Sequence, residues 1–253
     1  MTVEACAALV ARGDPDRFAA VMAAPVQARA GLLVLYALNL EVARAPWVTA
    51  EPLIAEMRLQ WWRDVVAAAA SGAARAHEVA GPLHALMAER ALPVVVLDRM
   101  IAARRWDIAR EPFAGAEALL DHVDATAGGL MWLTACVLGA PAAAEAPVRG
   151  YGMASGIAAW LIAVPVLQAR GRQPLPVPPS ALAEAGLAAL ARARAGRGLV
   201  PRRASPALLA GWQAEALLRR ALADPEAVTE GRLQLSEFSR RGRLMWQAFS
   251  GRW

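Results

Sequence analysis

Arg170, Gly171 and Arg172 are the residues whose types and spacing point most directly to chemistry. Two guanidiniums around a glycine can fork onto a phosphate, because each presents a planar set of N–H donors. The same triplet also fits a helix end, with glycine as the cap and arginine offsetting the dipole. An all-helical enzyme acting on diphosphates would further need carboxylates at i and i+3 or i+4, on one face, to hold Mg²⁺ through oxygen. One stretch has that spacing: Glu117, Asp121 and Asp124 in "EALLDHVDATAGG". No second acidic helix answers it, so a solvated helix face is expected there. His77 and His84 fall near a loop and a short helix and are expected to be exposed, and His122 lies one position off the acidic face. Each is expected to be structural. No GxSxG, HExxH, P-loop or GxGxxG pattern occurs.

Trp61 and Trp62 adjoin inside "RLQWWRD". Neighbours in a helix cannot share a face, so one ring should be buried and the other should face a groove or partner. The tryptophans at 106, 132, 160 and 246 are expected on core faces, around an apolar pocket.

These residues need helices to hold them. Apolar residues make up 57% of 253, with much alanine, and they recur at three- and four-residue spacing with no sustained alternation. The fold class is therefore all-α. Asp14–Pro15 reads as a capped helix start. Further helices are expected after Pro25, after Pro52 to near Gly72, and over 82–90, 93–109, 116–138, 143–169, 178–190, 206–223 and 226–249, with an irregular basic piece near 191–205. No linker or repeat interrupts the chain, so residues 1–253 are read as one domain.

All 27 basic residues are arginine and the net charge is +5. Lysine-free, alanine-rich usage reflects coding bias, so no nucleic-acid partner is inferred. The densest basic stretches, 192–203 and 240–243, are expected to be solvated, with attraction to an anionic membrane or acidic partner left open. Cys6 and Cys136 form no framework and fit a reducing compartment. The first residues make a poor signal peptide, and the expected location is the cytoplasm, with peripheral contact at the inner membrane left open. Residues 125–144 and 150–169 are charge-free over spanning length, but their glycines and prolines favour buried core helices.

In order and spacing, "DPDRFAAVMAAP", "LLVLYALNLEVAR", "RLQWWRD", the stretch from "LDRMIAARRWD" to "ACVLG", and "GMASGIAAWLIAVPVLQARGRQPLP" resemble the squalene/phytoene synthase family across 14–177. The resemblance implies an isoprenoid-synthase-like helical bundle around a central cavity. Active members join two prenyl diphosphates head to head, using two aspartate-rich motifs that hold Mg²⁺. The metal-facing acids of the first motif fall at Ala43, Arg44 and Trp47, and those of the second at Ala163 and Leu167. Tyr36, Asp107, "TAGGLM" and the Arg170–Gly171–Arg172 turn persist.

No metal site, no cofactor and no catalytic residue are therefore expected. Mg²⁺ would be required only if the chain were an active synthase with acids drawn from Glu41, Glu56, Asp64 or Asp121. Tyr36, Arg44, Arg170 and Arg172 are the candidate anion- or substrate-binding residues, Arg44 placing positive charge where the metal would sit. The "NLE" and "EMRLQWWRD" stretches resemble a branch that lacks the acid motifs and includes a mitochondrial assembly factor for respiratory complex I. That likeness implies a non-catalytic protein that binds a protein partner, such as respiratory complex subunits or intermediates, through Trp61, Trp62 and Arg63. The remaining alternative is a carrier with an isoprenoid or other lipid in its cavity.

Overall fold

The structure, a computed structural model, describes residues 2–253, and no strand occurs among them. Thirteen of the α-helical segments run in order as α1 (Val3–Gly13), α2 (Pro15–Ala23), α3 (Val26–Arg44), α4 (Pro52–Ala70), α5 (Ala80–Glu89), α6 (Val94–Ala102), α7 (Trp106–Ala109), α8 (Ala116–Val123), α9 (Gly129–Val137), α10 (Glu145–Ala169), α11 (Pro179–Ala195), α12 (Ala214–Ala223) and α13 (Glu226–Thr229). The last is α14 (Glu237–Ser250). Short 3₁₀ turns join several of them, and a π-helical turn, Asp124–Gly128, links α8 to α9.

The punctuation in the sequence sets the helix starts. Asp14 caps α2 by accepting the Arg17 N–H at 2.9 Å, with Pro15 at the first helical position. One element was not foreseen, and three expectations need correction. Residues 3–13 form a helix of their own, α1. α11 continues to Ala195 through most of the supposed irregular segment, because its Ala-rich sequence keeps helical spacing past Arg192. Pro201 and Pro206 then hold Arg202–Gly211 in 3₁₀ form, so α12 starts only at Ala214. The helix expected over 226–249 breaks at Gly231, which sits at φ +72°, a conformation open to glycine.

Two apolar clusters fill the body. One gathers α1 to α6 around Leu35, Leu38, Leu59, Leu97 and Met100. The other gathers α8 to α12 around Leu119, Ile157 and Leu161. α9 is buried on all sides and belongs to both: Leu130 and Leu133 face the first cluster, Met131 and Trp132 the second. α3 with the turn after it (Val26–Trp47) and α10 with the turn before it (Ala142–Ala169) are long and apolar enough to cross a membrane. Here α3 packs on α1 and α9, and α10 packs on α11 and α12.

α10 meets the π-turn through two glycines one turn apart. A Cβ on Gly152 would lie 2.9 Å from the Ala127 carbonyl oxygen, and one on Gly156 2.5 Å from Ala127 Cβ and 2.6 Å from Val123 Cγ1. Gly156→Val should therefore overpack the interface and destabilise the protein by about 1–3 kcal/mol, read from the urea midpoint. Gly115→Ala, where a Cβ meets nothing within 4 Å, should change stability by no more than about 0.5 kcal/mol.

Candidate functional site

α3 and α10 face each other across a central cavity of about 280 Å³. Ala43 and Trp47 line one side, one helical turn apart, and Ala163 and Leu167 line the other with the same spacing. Arg17, Asn39, Arg104, Asp107, His122, Trp160 and Arg170 complete much of the wall. A second cavity of about 550 Å³ adjoins it and shares Trp47, Asp107 and Arg170, adding Arg110 and Arg172. Trp47 stands between the two, with the Arg170 guanidinium 4.6 Å and the Arg172 guanidinium 5.1 Å from its ring. Both distances suit cation–π attraction.

Each charged group has a local reason for its place. Arg17 follows from the cap: its guanidinium binds Asp14 at 2.7 Å and lies over the Tyr36 ring. Arg104 and Asp107 sit three apart, where α6 gives way to α7, with 3.8 Å between Nη1 and Oδ2. Arg172 turns back from the end of α10 and donates to the Asp107 carbonyl oxygen. Burial pushes the Asp107 carboxyl above its ordinary range, against the opposing pull of Arg104 and Arg172. Burial likewise lowers both guanidiniums. His122 lies against Trp106, Phe113 and Trp160, and burial with nearby Arg104 pushes it down to about 3, so the ring is neutral at physiological pH.

Arg104 Nε, Trp106 Nε1, Asp107 Oδ2 and Arg172 Nη1 are buried without a hydrogen-bond partner. Such orphaned donors and acceptors are uncommon in a protein interior. Three of the four are donors, and three guanidiniums line the central cavity against one carboxylate. That set suits an anion.

It does not suit Mg²⁺, which needs oxygen ligands with near-octahedral geometry. The four facing positions carry alanine, tryptophan, alanine and leucine, and Asp107 already faces two guanidiniums. Among the described residues no group of three metal-ligating side chains occurs anywhere. Glu41, Glu56, Asp64 and Asp121 do not line the cavity. Glu56 pairs with Arg105 on the surface, and Asp64 accepts from Gln60 there.

The structure sorts the other candidate residues as follows. Arg170 lines both cavities and Arg172 the outer one. Tyr36 is in the core behind Arg17, its hydroxyl pushed up to about 12 by burial. Arg44 does not occupy the metal position: it is exposed beside Gly13, because consecutive helical residues point about 100° apart. Arg17 and Arg104 supply the positive charge expected of it. Trp62 is core and cannot face a partner. Trp61 stacks edge-on against Trp62 and His77, and Arg63 makes a bidentate pair with Asp98 that ties α4 to α6. His77 is thus packed rather than free, and His84 is half-buried with Nδ1 unpartnered. Asp124 leaves the solvated face to bind Arg149 at 2.6 Å and Arg99 at 3.2 Å. Trp246 is exposed, not core. Sequence reasoning missed Arg17, Arg104 and His122 as cavity residues. The one available signal was Arg17's place three residues after a capping aspartate.

The family model described as "Squalene/phytoene synthase" matches residues 10–178. Among solved structures, a dehydrosqualene synthase in complex with ligand aligns over 98% of this chain and 95% of its own at TM-score 0.85, with 13% identity. Squalene synthase HpnC from Alicyclobacillus acidocaldarius aligns over 88% and 94% at TM-score 0.77, with 19% identity. YisP from Bacillus subtilis subsp. subtilis strain 168 aligns over 96% and 94% at 0.66, with 15% identity. At these identities the likeness is one of fold. No curated protein sequence matches the chain.

Proposed function

The chain belongs to the squalene/phytoene synthase family, and from that premise we propose that it is a non-catalytic member, a binding body that has kept the cavity and lost the metal chemistry. One observation carries this reading: the facing positions 43, 47, 163 and 167 line a single cavity and offer no ligand oxygen. Departure of diphosphate in a metal-dependent synthase relies on a divalent ion to stabilise developing charge. Guanidiniums bind the anion but do not reproduce that coordination. The cavity retains affinity for a phosphate-bearing or other anionic guest, held by Arg17, Arg104 and Arg170.

The role that follows is binding to a protein partner, in the manner of an assembly factor for a respiratory complex. The partner surface moves off Trp62 and Arg63, which are occupied internally. α4 instead presents Leu53, 72% exposed, and Met57 one turn on, with Val48 nearby in the wall of the outer cavity. Two such side chains in line on a helix suit a groove on another protein.

The test has two arms. Purified protein incubated with farnesyl or geranylgeranyl diphosphate and Mg²⁺ should release no more diphosphate than a protein-free control, and protein-dependent release would overturn the non-catalytic reading. Affinity capture from cross-linked respiring cells should recover respiratory complex I subunits or assembly intermediates, and Leu53→Ser with Met57→Ser should abolish that recovery. Equal recovery by the double variant would remove α4 as the contact.

A further inference from the structure

The last helix, α14, rests on the body by a narrow stripe. Leu244 and Gln247 are its buried residues, and the Gln247 amide donates to the Leu208 carbonyl oxygen at 2.9 Å. Its outer side carries Phe238 and Phe249, 90% and 92% exposed, with Met245 and Trp246 also exposed. On a helical projection Phe238, Met245 and Phe249 fall within about 40° of one another. Trp246 lies at one edge, and Arg241 and Arg243 flank the stripe. Four large apolar side chains on one exposed face mark a contact surface rather than ordinary solvent exposure.

A cavity of about 410 Å³ opens beside this stripe, and Trp246 belongs to both. Arg194, Arg197, Arg243 and Arg252 line it against one acidic side chain, Glu215, and Arg194 also donates to the Trp253 main-chain oxygen at 3.0 Å. Arg194 binds Glu215 at 2.7 Å, and Arg197 is spent on the Gly251 carbonyl oxygen at 2.6 Å. Arg243 reaches only the Ser239 hydroxyl, and neither it nor Arg252 has an acidic partner among the described residues. This cavity shares no lining residue with the central one, so the two are separate sites.

We propose that α14 is a membrane-docking helix, its aromatic stripe seated in the interface of an anionic bilayer and a lipid phosphate taken between Arg243 and Arg252. An exposed apolar line flanked by arginines has the composition of an interfacial helix, and guanidiniums are the side chains suited to a phosphate. A second copy of the chain is a poor occupant, since it would set the same arginines against one another.

The test is co-sedimentation of the full chain with vesicles of phosphatidylcholine alone or of equimolar phosphatidylcholine and phosphatidylglycerol. The wild type should bind the anionic vesicles more tightly, and salt should weaken that binding. Phe238→Ser with Phe249→Ser, both at exposed positions, should weaken it by about tenfold or more. Arg243→Gln with Arg252→Gln should erase the preference for the anionic vesicles. Brominated lipid chains should quench the wild-type tryptophan emission, and less so in Trp246→Phe. The proposal fails if the wild type does not sediment with anionic vesicles, or if the phenylalanine variant binds as well as the wild type. A concentration-dependent dimer lost in that variant, without vesicle binding, would assign the stripe to a second copy and overturn it.

Discussion

Asp107→Ala is expected to destabilise the fold by about 3–5 kcal/mol, equivalent to a fall of roughly 10 °C in Tm for a chain of this size. The carboxylate is buried, and it lies between Arg104 and Arg172. Alanine would remove the one carboxylate that acts on both guanidiniums, where burial already disfavours their charge. The Arg172 hydrogen bond to residue 107 goes to a main-chain oxygen and survives the substitution, so the loss isolates the carboxylate. Thermal and urea unfolding measure it. Arg104→Ala combined with Asp107→Ala should cost less than the sum of the two single changes, since the second removes the charge that the first strands. A single-variant loss under about 1 kcal/mol would mean that water, rather than the carboxylate, keeps these arginines charged.

Acid should weaken the protein through His122. Its folded-state pKa, about 3, lies below the ordinary 6.5 because the ring is buried near Arg104. A histidine depressed in this way takes up its proton more readily when unfolded. Its contribution is fully present above about pH 6.5 and is lost as pH falls from there toward about 3. Between about pH 7.5 and about pH 5 the loss should be roughly 2 kcal/mol. The raised Asp107 carboxyl works the other way, gaining a proton more easily in the folded state as pH drops. The measurement is therefore a comparison: urea unfolding of wild type and His122→Phe at both pH values. The variant, with phenylalanine among Trp106, Phe113 and Trp160, should lose about 2 kcal/mol less than the wild type on acidification. Parallel losses would show that the ring is protonated in the folded protein.

Much of the frame was legible from local rules. Asp14–Pro15, Pro25 and Pro52 start helices where a capping carboxylate and a fixed φ require it. The facing of positions 43 and 47 with 163 and 167 could be placed only through the family likeness, and the structure brings them onto one cavity. The site's charges were harder to read. Arg17 and Arg104 carry no motif, and they reach the cavity because chains distant in sequence converge there. His122 was discounted for lying off the acidic face, yet that offset is what turns it inward. The π-turn starting at Asp124 breaks regular spacing, so Glu117 and Asp121 gave no guide to where Asp124 points. The stripe on α14 was hidden because periodicity shows that an apolar face exists, not whether anything covers it.

The central wall is lined with arginine and has no lysine. Guanidinium presents planar donors at fixed angles, where an ammonium would offer a point charge on a flexible stem. A guest oxyanion should therefore be held in one orientation and not merely attracted.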